Sequence, residues 1–185
     1  MVILGIDPGL NVTGYGAVRV SGEHVQAMAV GTIQPNGRAP LPARLHELYE
    51  ALSGVIARVR PSVMVLEAVY THHQFVTTAA AMAHARGIIC LLSAQHGVAL
   101  VEYLPTRIKK ALTGHGTASK EQVARSVGAW LDCEVSAWPS DATDAVALAA
   151  AHAHMAQRQA ILAAGTRRVI TVGRRRSRAV AEVGG

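Results

Sequence analysis

Residues 2–16 carry the sequence VILGIDPGLNVTGYG, which decides the fold. Its first part, Val2–Ile6, is continuously apolar and runs into Asp7 and a Pro-Gly turn. Successive side chains of a strand face opposite sides, so an unbroken apolar run predicts a strand buried on both faces. The segments Thr13–Val20 and His24–Ile33 are rich in β-forming residues, and we expect them to follow as an antiparallel meander.

The remainder of the chain predicts helices alternating with further strands. Apolar periodicity and proline positions predict two more strands, at Val63–Leu66 and Val98–Leu104. The same signals, with a capping box at Ser119, predict five helices: Ala43–Val59, Val76–His96, Thr106–Leu112, Ser119–Leu131, and Asp141 to about Leu162. Thr106 is the predicted N-cap of the third helix. This order predicts an α/β fold with a mixed five-stranded sheet flanked by helices. The first three strands should be antiparallel, and the later ones, joined by helical crossovers, parallel.

The chain has 185 residues and a net charge of +6. Its length suits one domain, which we place at residues 1–164. Residues 165–185 contain an arginine cluster without a nearby acid and end in small residues, so we expect a basic, disordered C-terminal tail. Such a tail either touches a polyanion or is a solvated extension. The rest of the chain is close to neutral, so charge alone does not identify a function.

The sequence also indicates where the protein works. Its first residues lack the basic region of a signal peptide, and no charge-free stretch reaches the ~20 residues of a membrane span. Cys90 and Cys133 lie in apolar surroundings, which favours buried, reduced thiols, with a disulfide as the alternative. Together these features predict a cytoplasmic protein without a membrane segment.

Four acidic residues stand out by their positions. Asp7 and Glu67 each end a predicted buried strand, and in open α/β sheets the ligand crevice lies at the carboxyl ends of strands. Asp141 and Asp144 are three residues apart at the start of a helix and therefore share one face. Asp141 alone has an ordinary explanation, a helix N-terminal acid favoured by the macrodipole. Asp144 lies on a stripe that looks core-facing, where a carboxylate is costly unless it is paired or binds a metal.

The four acids together point to metal-assisted chemistry. Carboxylate oxygens suit Mg²⁺ and Mn²⁺, and the lack of a Cys/His set argues against zinc. Two such ions ~4 Å apart can activate water and stabilise a leaving oxygen in phosphodiester hydrolysis. His72 and His73 follow Glu67 closely enough to approach a ligand. His152 and His154 are two residues apart on a helix and should point apart.

A glycine-rich loop lies between two predicted helices and is flanked by lysines. Gly114 and Gly116 would let the backbone approach a phosphate, with Lys109 and Lys120 on either side. The alternative is a surface connection between helices with solvated lysines.

At this point the sequence resembles the RuvC Holliday-junction resolvases of the RNase H-like superfamily. The resemblance rests on four motifs that occur in order over residues 1–160: GIDPGLNVTGYG at Gly5–Gly16, LEAVY at Leu66–Tyr70, GHGTASK at Gly114–Lys120 and DATDAVALA at Asp141–Ala149. Each motif is weak alone, and the four in order are specific.

This resemblance implies an RNase H-like nuclease that resolves four-way junctions in recombination and DNA repair by paired symmetric nicks. It implies catalytic, metal-binding acids at Asp7, Glu67, Asp141 and Asp144, with two Mg²⁺ or Mn²⁺ ions per site. It further implies a DNA-stacking aromatic at Tyr70, where the family often has Phe, and phosphate contacts from Lys109 and Lys120. The implied partners are junction DNA, a second copy of the chain, and the branch-migration proteins RuvA and RuvB. The tail lies outside the resemblance.

Two other hypotheses about the function stay open. An ATP-dependent kinase of the actin-like superfamily also opens with an apolar strand and an acid, but it needs a second similar domain, which this length does not supply. An inert junction-binding module would leave all four acids dispensable.

The helix from Val76 offers a surface for self-association. Small residues recur on it at helical spacing, namely Ala79, Ala80, Ala83, Gly87 and Cys90. Such a stripe lets another helix approach closely, whereas the alternative is that it packs on its own sheet.

Overall fold

Five strands and five helices follow one another in residues 1–68 and 76–176, which a computed structural model describes, with side chains for residues 1–68 and 79–163. In chain order they are β1 Val2–Asp7, β2 Thr13–Ser21, β3 His24–Ile33, α1 Leu41–Val59, β4 Val63–Glu67, α2 Val76–His96, β5 Ala99–Tyr103, α3 Pro105–Thr113, α4 Lys120–Leu131 and α5 Ser140–Arg176. The predicted α/β class is confirmed. None of the helices in this part of the chain combines the length and apolarity that a bilayer crossing requires.

The strands form one mixed sheet in the order β3-β2-β1-β4-β5. β1 pairs antiparallel with β2, and β2 with β3, whereas β1 with β4 and β4 with β5 are parallel. The antiparallel and parallel pairings are those predicted, whereas the order of the strands was not part of the prediction. Because β1 and β4 are parallel neighbours in the register Ile6–Leu66, the residues that end them, Asp7 and Glu67, emerge at the same edge of the sheet.

Helices cover both faces of the sheet and divide the core into two layers. Leu4 and Ile6 of β1 pack in the layer with α1 and α2, and Ile3 packs in the layer with α3, α4 and α5. Side chains alternate along a strand, so Asp7 lies on the same face as Ile3. Val65 also belongs to the α5 layer. Glu67, two residues further, therefore shares that face.

The α5 helix lies directly on the backbone of β1 and β2, because glycines leave no side chain between them. A Cβ atom on Gly5 would stand 1.9 Å from the Ala145 carbonyl oxygen, and one on Gly14 would stand 2.0 Å from the Asp141 carbonyl oxygen. Side chains at these positions would push the helix off the sheet. The glycines therefore bring the start of α5 to the end of β1.

Helix ends agree with the sequence in one case and correct it in another. Ser119 caps α4 in the predicted capping box with Gln122. The prediction that Thr106 caps α3 is wrong, since Leu104 is the N-cap residue and makes no side-chain cap hydrogen bond. Pro105 explains the difference, because a proline is favoured at the first helical position, where no intrahelical N–H is needed.

Two further expectations differ from the structure. Cys90 is exposed rather than buried, and Cys133 is half-buried; both thiols are free. The α5 helix continues past the expected end near Leu162 to Arg176, into the basic segment. The domain boundary between residues 164 and 165 stays a prediction, and residues 177–185 lie outside the described part.

Candidate metal-dependent nuclease site

The four candidate acids lie where three elements meet. Asp7 ends β1, Glu67 ends β4, and Asp141 and Asp144 lie in the first turns of α5. Asp7 is the cross-strand partner of Gly14, over which the Asp141 carbonyl lies. Because α5 packs closely on Gly14, its two acids, Asp141 and Asp144, lie at the same edge of the sheet as Asp7 and Glu67.

The electrostatics of Asp7 show that these four carboxylates act on one another. The pKa of Asp7 is raised from its ordinary 3.8 to about 6, mainly by burial and then by the negative charges of Asp144, Asp141 and Glu67, in that order. The positive charge of Lys120 works in the opposite direction. The fold thus holds Asp7 in a place that disfavours its own ionisation, which indicates a site built for a positive ligand.

Glu67 lies at the outer rim of the same site. Its residue surface is exposed, yet partial burial of the carboxyl group raises its pKa, and Asp144 raises it further. Lys120 and Lys109 lower it. Both predicted phosphate-binding lysines therefore lie within electrostatic reach of the acids.

Lys120 makes the direct ionic contact in this group. Its Nζ donates to Asp144 Oδ2 at 2.7 Å, while most of its side chain stays exposed. That hydrogen bond is the main cause of a raised Lys120 pKa. Lys120 is thus a cationic side chain at the mouth of the site, and it opposes the negative charge of the acids.

The loop after Asp7 is held tightly by its own residues and by α1. Thr13 is fully buried, and its Oγ1 donates to the Gly9 carbonyl at 2.6 Å and accepts from the Gly9 N–H at 3.3 Å. Arg44 on α1 donates to the Leu10 carbonyl at 2.9 Å. Sequence reasoning missed this role of Arg44, because its contact joins residues far apart in the chain.

The donor set fits a divalent cation in its chemistry. Four carboxylates share one electrostatic neighbourhood, and hard oxygen donors are the ligands that Mg²⁺ and Mn²⁺ prefer. Among residues 1–68 and 79–163, however, no three acidic, histidine or cysteine side chains converge closely enough to hold one ion in this arrangement. Rotation of the carboxylates toward a bound ion would have to complete the coordination, in keeping with the repulsion among them.

Other predicted site residues fall into two groups. Tyr70, His72 and His73 lie outside the described residues. His152 and His154 point apart as predicted: His152 Nδ1 is 2.8 Å from the Tyr103 hydroxyl, and His154 lies against the edge of another aromatic ring.

The sheet order and the site together define a class of protein. A mixed five-stranded sheet with carboxylates at the ends of its two central parallel strands, joined by acids from a helix packed on them, is the architecture of an RNase H-like enzyme with a polycarboxylate site. Comparison with known proteins narrows this class. Residues 3–152 match the family model described as crossover junction endodeoxyribonuclease RuvC. The chain belongs to this family, and the predicted nuclease class is confirmed.

Individual relatives cover most of the chain. A crossover junction endodeoxyribonuclease RuvC from Pseudothermotoga lettingae is 41% identical over 152 residues, which span 82% of this chain and 93% of the relative. One from Rhodopirellula baltica is also 41% identical, over 79% of this chain and 82% of the relative. The RuvC of T. thermophilus, solved in complex with a Holliday junction substrate, superimposes with a TM-score of 0.80 at 30% identity over 86% of this chain and 96% of that one.

A more distant structure shares the fold alone. The yeast mitochondrial Holliday junction resolvase Ydc2 is 15% identical and superimposes with a TM-score of 0.60, over 84% of this chain and 79% of that one. The predicted RNase H-like sheet is therefore confirmed by structures both near to and far from this chain in sequence.

Proposed function

We propose that the protein is a divalent-metal-dependent endodeoxyribonuclease that resolves Holliday junctions by paired, symmetric nicks in homologous recombination and DNA repair. The observation that carries the proposal is the meeting of Asp7, Glu67, Asp141 and Asp144 at one edge of the sheet, in a chain of the RuvC family. A solved relative that binds a Holliday junction supports the choice of substrate.

The four acids would hold Mg²⁺ or Mn²⁺, in our proposal two ions per site. When bound, such ions lower the pKa of the attacking water and stabilise the leaving oxygen of the phosphodiester. The acids orient this chemistry, and the α5 helix, fixed to β1 and β2 by glycines, keeps Asp141 and Asp144 in place relative to Asp7.

The lysines would meet the DNA backbone. Lys120 lies at the mouth of the site with most of its side chain exposed, and Lys109 on α3 is near enough to act on Glu67. Both can contact phosphates next to the scissile one. Tyr70, three residues after Glu67, would stack on an unpaired base at the junction crossover, a contact worth ~1–3 kcal/mol by analogy with single-strand stacking.

The proposed partners are a second copy of the chain and the branch-migration proteins RuvA and RuvB. A homodimer places two sites on two strands of one junction. We place the protein in the cytoplasm, where reducing conditions suit its free thiols at Cys90 and Cys133.

A cutting assay on a synthetic mobile four-way junction tests this function. With Mg²⁺ or Mn²⁺ present we expect symmetric nicks on two strands of like polarity, and with EDTA we expect binding without cutting. A linear duplex of the same sequence is the control and should stay intact. ATP turnover without cutting would favour the kinase hypothesis, and junction binding without cutting even in the presence of Mg²⁺ or Mn²⁺ would favour the inert module.

A further inference from the structure

The backbone at the end of β4 accepts a hydrogen bond from Arg86 of α2. The ladder between β1 and β4 has its last pair at Ile6 and Leu66, so the carbonyl of Glu67 lies one residue beyond it. Arg86 Nη1 donates to that carbonyl oxygen at 2.7 Å. On the other side β4 continues to pair with β5, where the Ala68 N–H donates to the Tyr103 carbonyl at 2.8 Å.

The same guanidinium also binds β5. Arg86 Nη2 forms an ion pair with Glu102, and only 13% of the Arg86 side chain is exposed, against 46% for Glu102. A guanidinium presents several donors in a rigid plane and keeps its charge, so it can join a carbonyl and a carboxylate at fixed positions. Arg86 therefore bridges the end of β4 to β5.

Arg86 acts on the side of the sheet opposite the acids. Glu102 alternates with Val101 and Tyr103, which pack in the α5 layer, so it belongs to the face covered by α2. The Glu67 side chain lies on the α5 face with Val65. Arg86 thus donates to the backbone of Glu67 from the face of the sheet opposite the one that carries the Glu67 carboxylate.

We propose that Arg86 is a positioning residue that fixes the Glu67 carboxylate by anchoring its backbone, with Glu102 orienting the guanidinium. The proposal rests on the proposed function, in which Glu67 holds metal. A displacement of about 1 Å in a catalytic group can cost ~100-fold in rate. The anchor matters at this point because Glu67 is the last residue of β4 and lies past its ladder with β1.

Two variants test the proposal. Arg86→Lys keeps the charge but loses the planar fork, and Glu102→Gln removes the charged partner while leaving the carbonyl bond available. Arg58→Lys on the exposed surface of α1 is the matched control. We expect Arg86→Lys to lower the single-turnover cutting rate by ~10-fold or more and to raise the Mn²⁺ concentration for half-maximal rate, with junction Kd unchanged within about two-fold. Glu102→Gln should show the same pattern more weakly, and Arg58→Lys should match the wild type.

A second readout is independent of cutting. Mn²⁺ should raise the melting temperature of the wild type, and Arg86→Lys should reduce that rise. Folded Arg86→Lys protein with wild-type cutting and metal dependence would overturn the proposal, as would a loss of junction binding in proportion to cutting. If Arg86→Lys does not fold, Glu102→Gln decides by the same criteria. A wild type that never cuts junctions would refute the proposed function instead, while the Mn²⁺ shift would still judge the positioning role.

Discussion

At the scale of single residues, the folded structure disfavours ionisation of the Asp7 carboxyl group. Its pKa in the folded protein is about 6, above the ordinary 3.8, because of burial and three neighbouring carboxylates. A folded state with the higher pKa binds the proton more tightly, so metal-free stability falls as pH rises from about 4 to about 6. Above that range the ionised Asp7 lowers the free energy of unfolding by at most ~3 kcal/mol, and solvent screening makes the loss smaller. A bound cation would offset it.

The first prediction follows from this penalty. Asp7→Asn removes the charge but keeps the shape, so we expect a higher melting temperature than the wild type at pH 8 in EDTA, and a smaller gain at pH 4. Junction binding should persist while metal-dependent cutting falls by orders of magnitude. Thermal unfolding at the two pH values and a cutting assay check this. A variant that is less stable and still cuts would mean that Asp7 is a structural group.

A second prediction concerns the lysines at the mouth of the site. Each neutralised phosphate releases counterions, so affinity falls steeply as salt rises. Lys109→Ala and Lys120→Ala should each make the slope of log affinity against log salt shallower by about one unit. Arg58→Ala, on the surface of α1, is the control and should leave the slope unchanged. Junction binding from low to high salt, in EDTA, gives the slopes. Unchanged slopes for both lysine variants would place them away from the DNA.

The sequence predicted these residues as far as local patterns reach. Asp7 and Glu67 are candidates because each ends an apolar run, and Asp141 and Asp144 because they open a helix, and the structure brings the ends of these elements together. The supporting arginines were not found, since Arg44 contacts Leu10 over 34 residues of sequence and Arg86 contacts Glu67 over 19. Contacts of this range depend on the sheet order, which periodicity does not specify.

At the scale of elements, the docking of α5 on the sheet depends on glycines inside β1 and β2. Alternate glycines within predicted strands were a signal of close backbone approach that the sequence already held. Their function needed the structure, because only the helix across them shows what a side chain would strike. The positions of strands and helices along the chain were predicted well, since buried strands and amphipathic helices have distinct periods. Helix ends were less secure, as Thr106 shows.

The third prediction tests this docking. Gly5→Ala would place a methyl group 1.9 Å from the Ala145 carbonyl, so α5 must shift, and we expect a loss of ~3 kcal/mol or more in unfolding free energy together with loss of cutting. Gly54→Ala on helix α1 is the control, because no atom of the described residues lies within 4 Å of a Cβ there. It should raise stability by ~0.5–1 kcal/mol. Urea unfolding of both variants decides, and a neutral Gly5→Ala would refute the close packing.

At the scale of the whole molecule, one chain carries one candidate site, whereas resolving a junction needs two cuts. Two sites related by a two-fold axis match the near symmetry of a four-way junction, so a C2 homodimer is the economical assembly. The α2 helix is the candidate surface for this assembly. Ala85 and Ile89 are buried against the chain's own core, while Ala83, Gly87 and Cys90 are exposed. The alternative in which this stripe packs on its own sheet does not agree with that exposure.

The fourth prediction follows from the exposed face of α2 that carries Ala83, Gly87 and Cys90. Among the described residues nothing lies within 4 Å of a Cβ on Gly87, and Leu91 beside it is 48% exposed, so this face has room for a second helix and an apolar side chain to bury against it. Ala83→Glu would place a charge in that contact, where burial without a partner is costly. We expect a folded monomer that nicks singly or not at all, since an isolated protomer carries one site. Ala57→Glu, at an exposed alanine of α1, is the control and should remain a dimer with paired cutting. Sedimentation at micromolar concentration without DNA separates the outcomes, because a monomeric wild type, or an Ala83→Glu dimer that cuts in pairs, would remove α2 from the assembly.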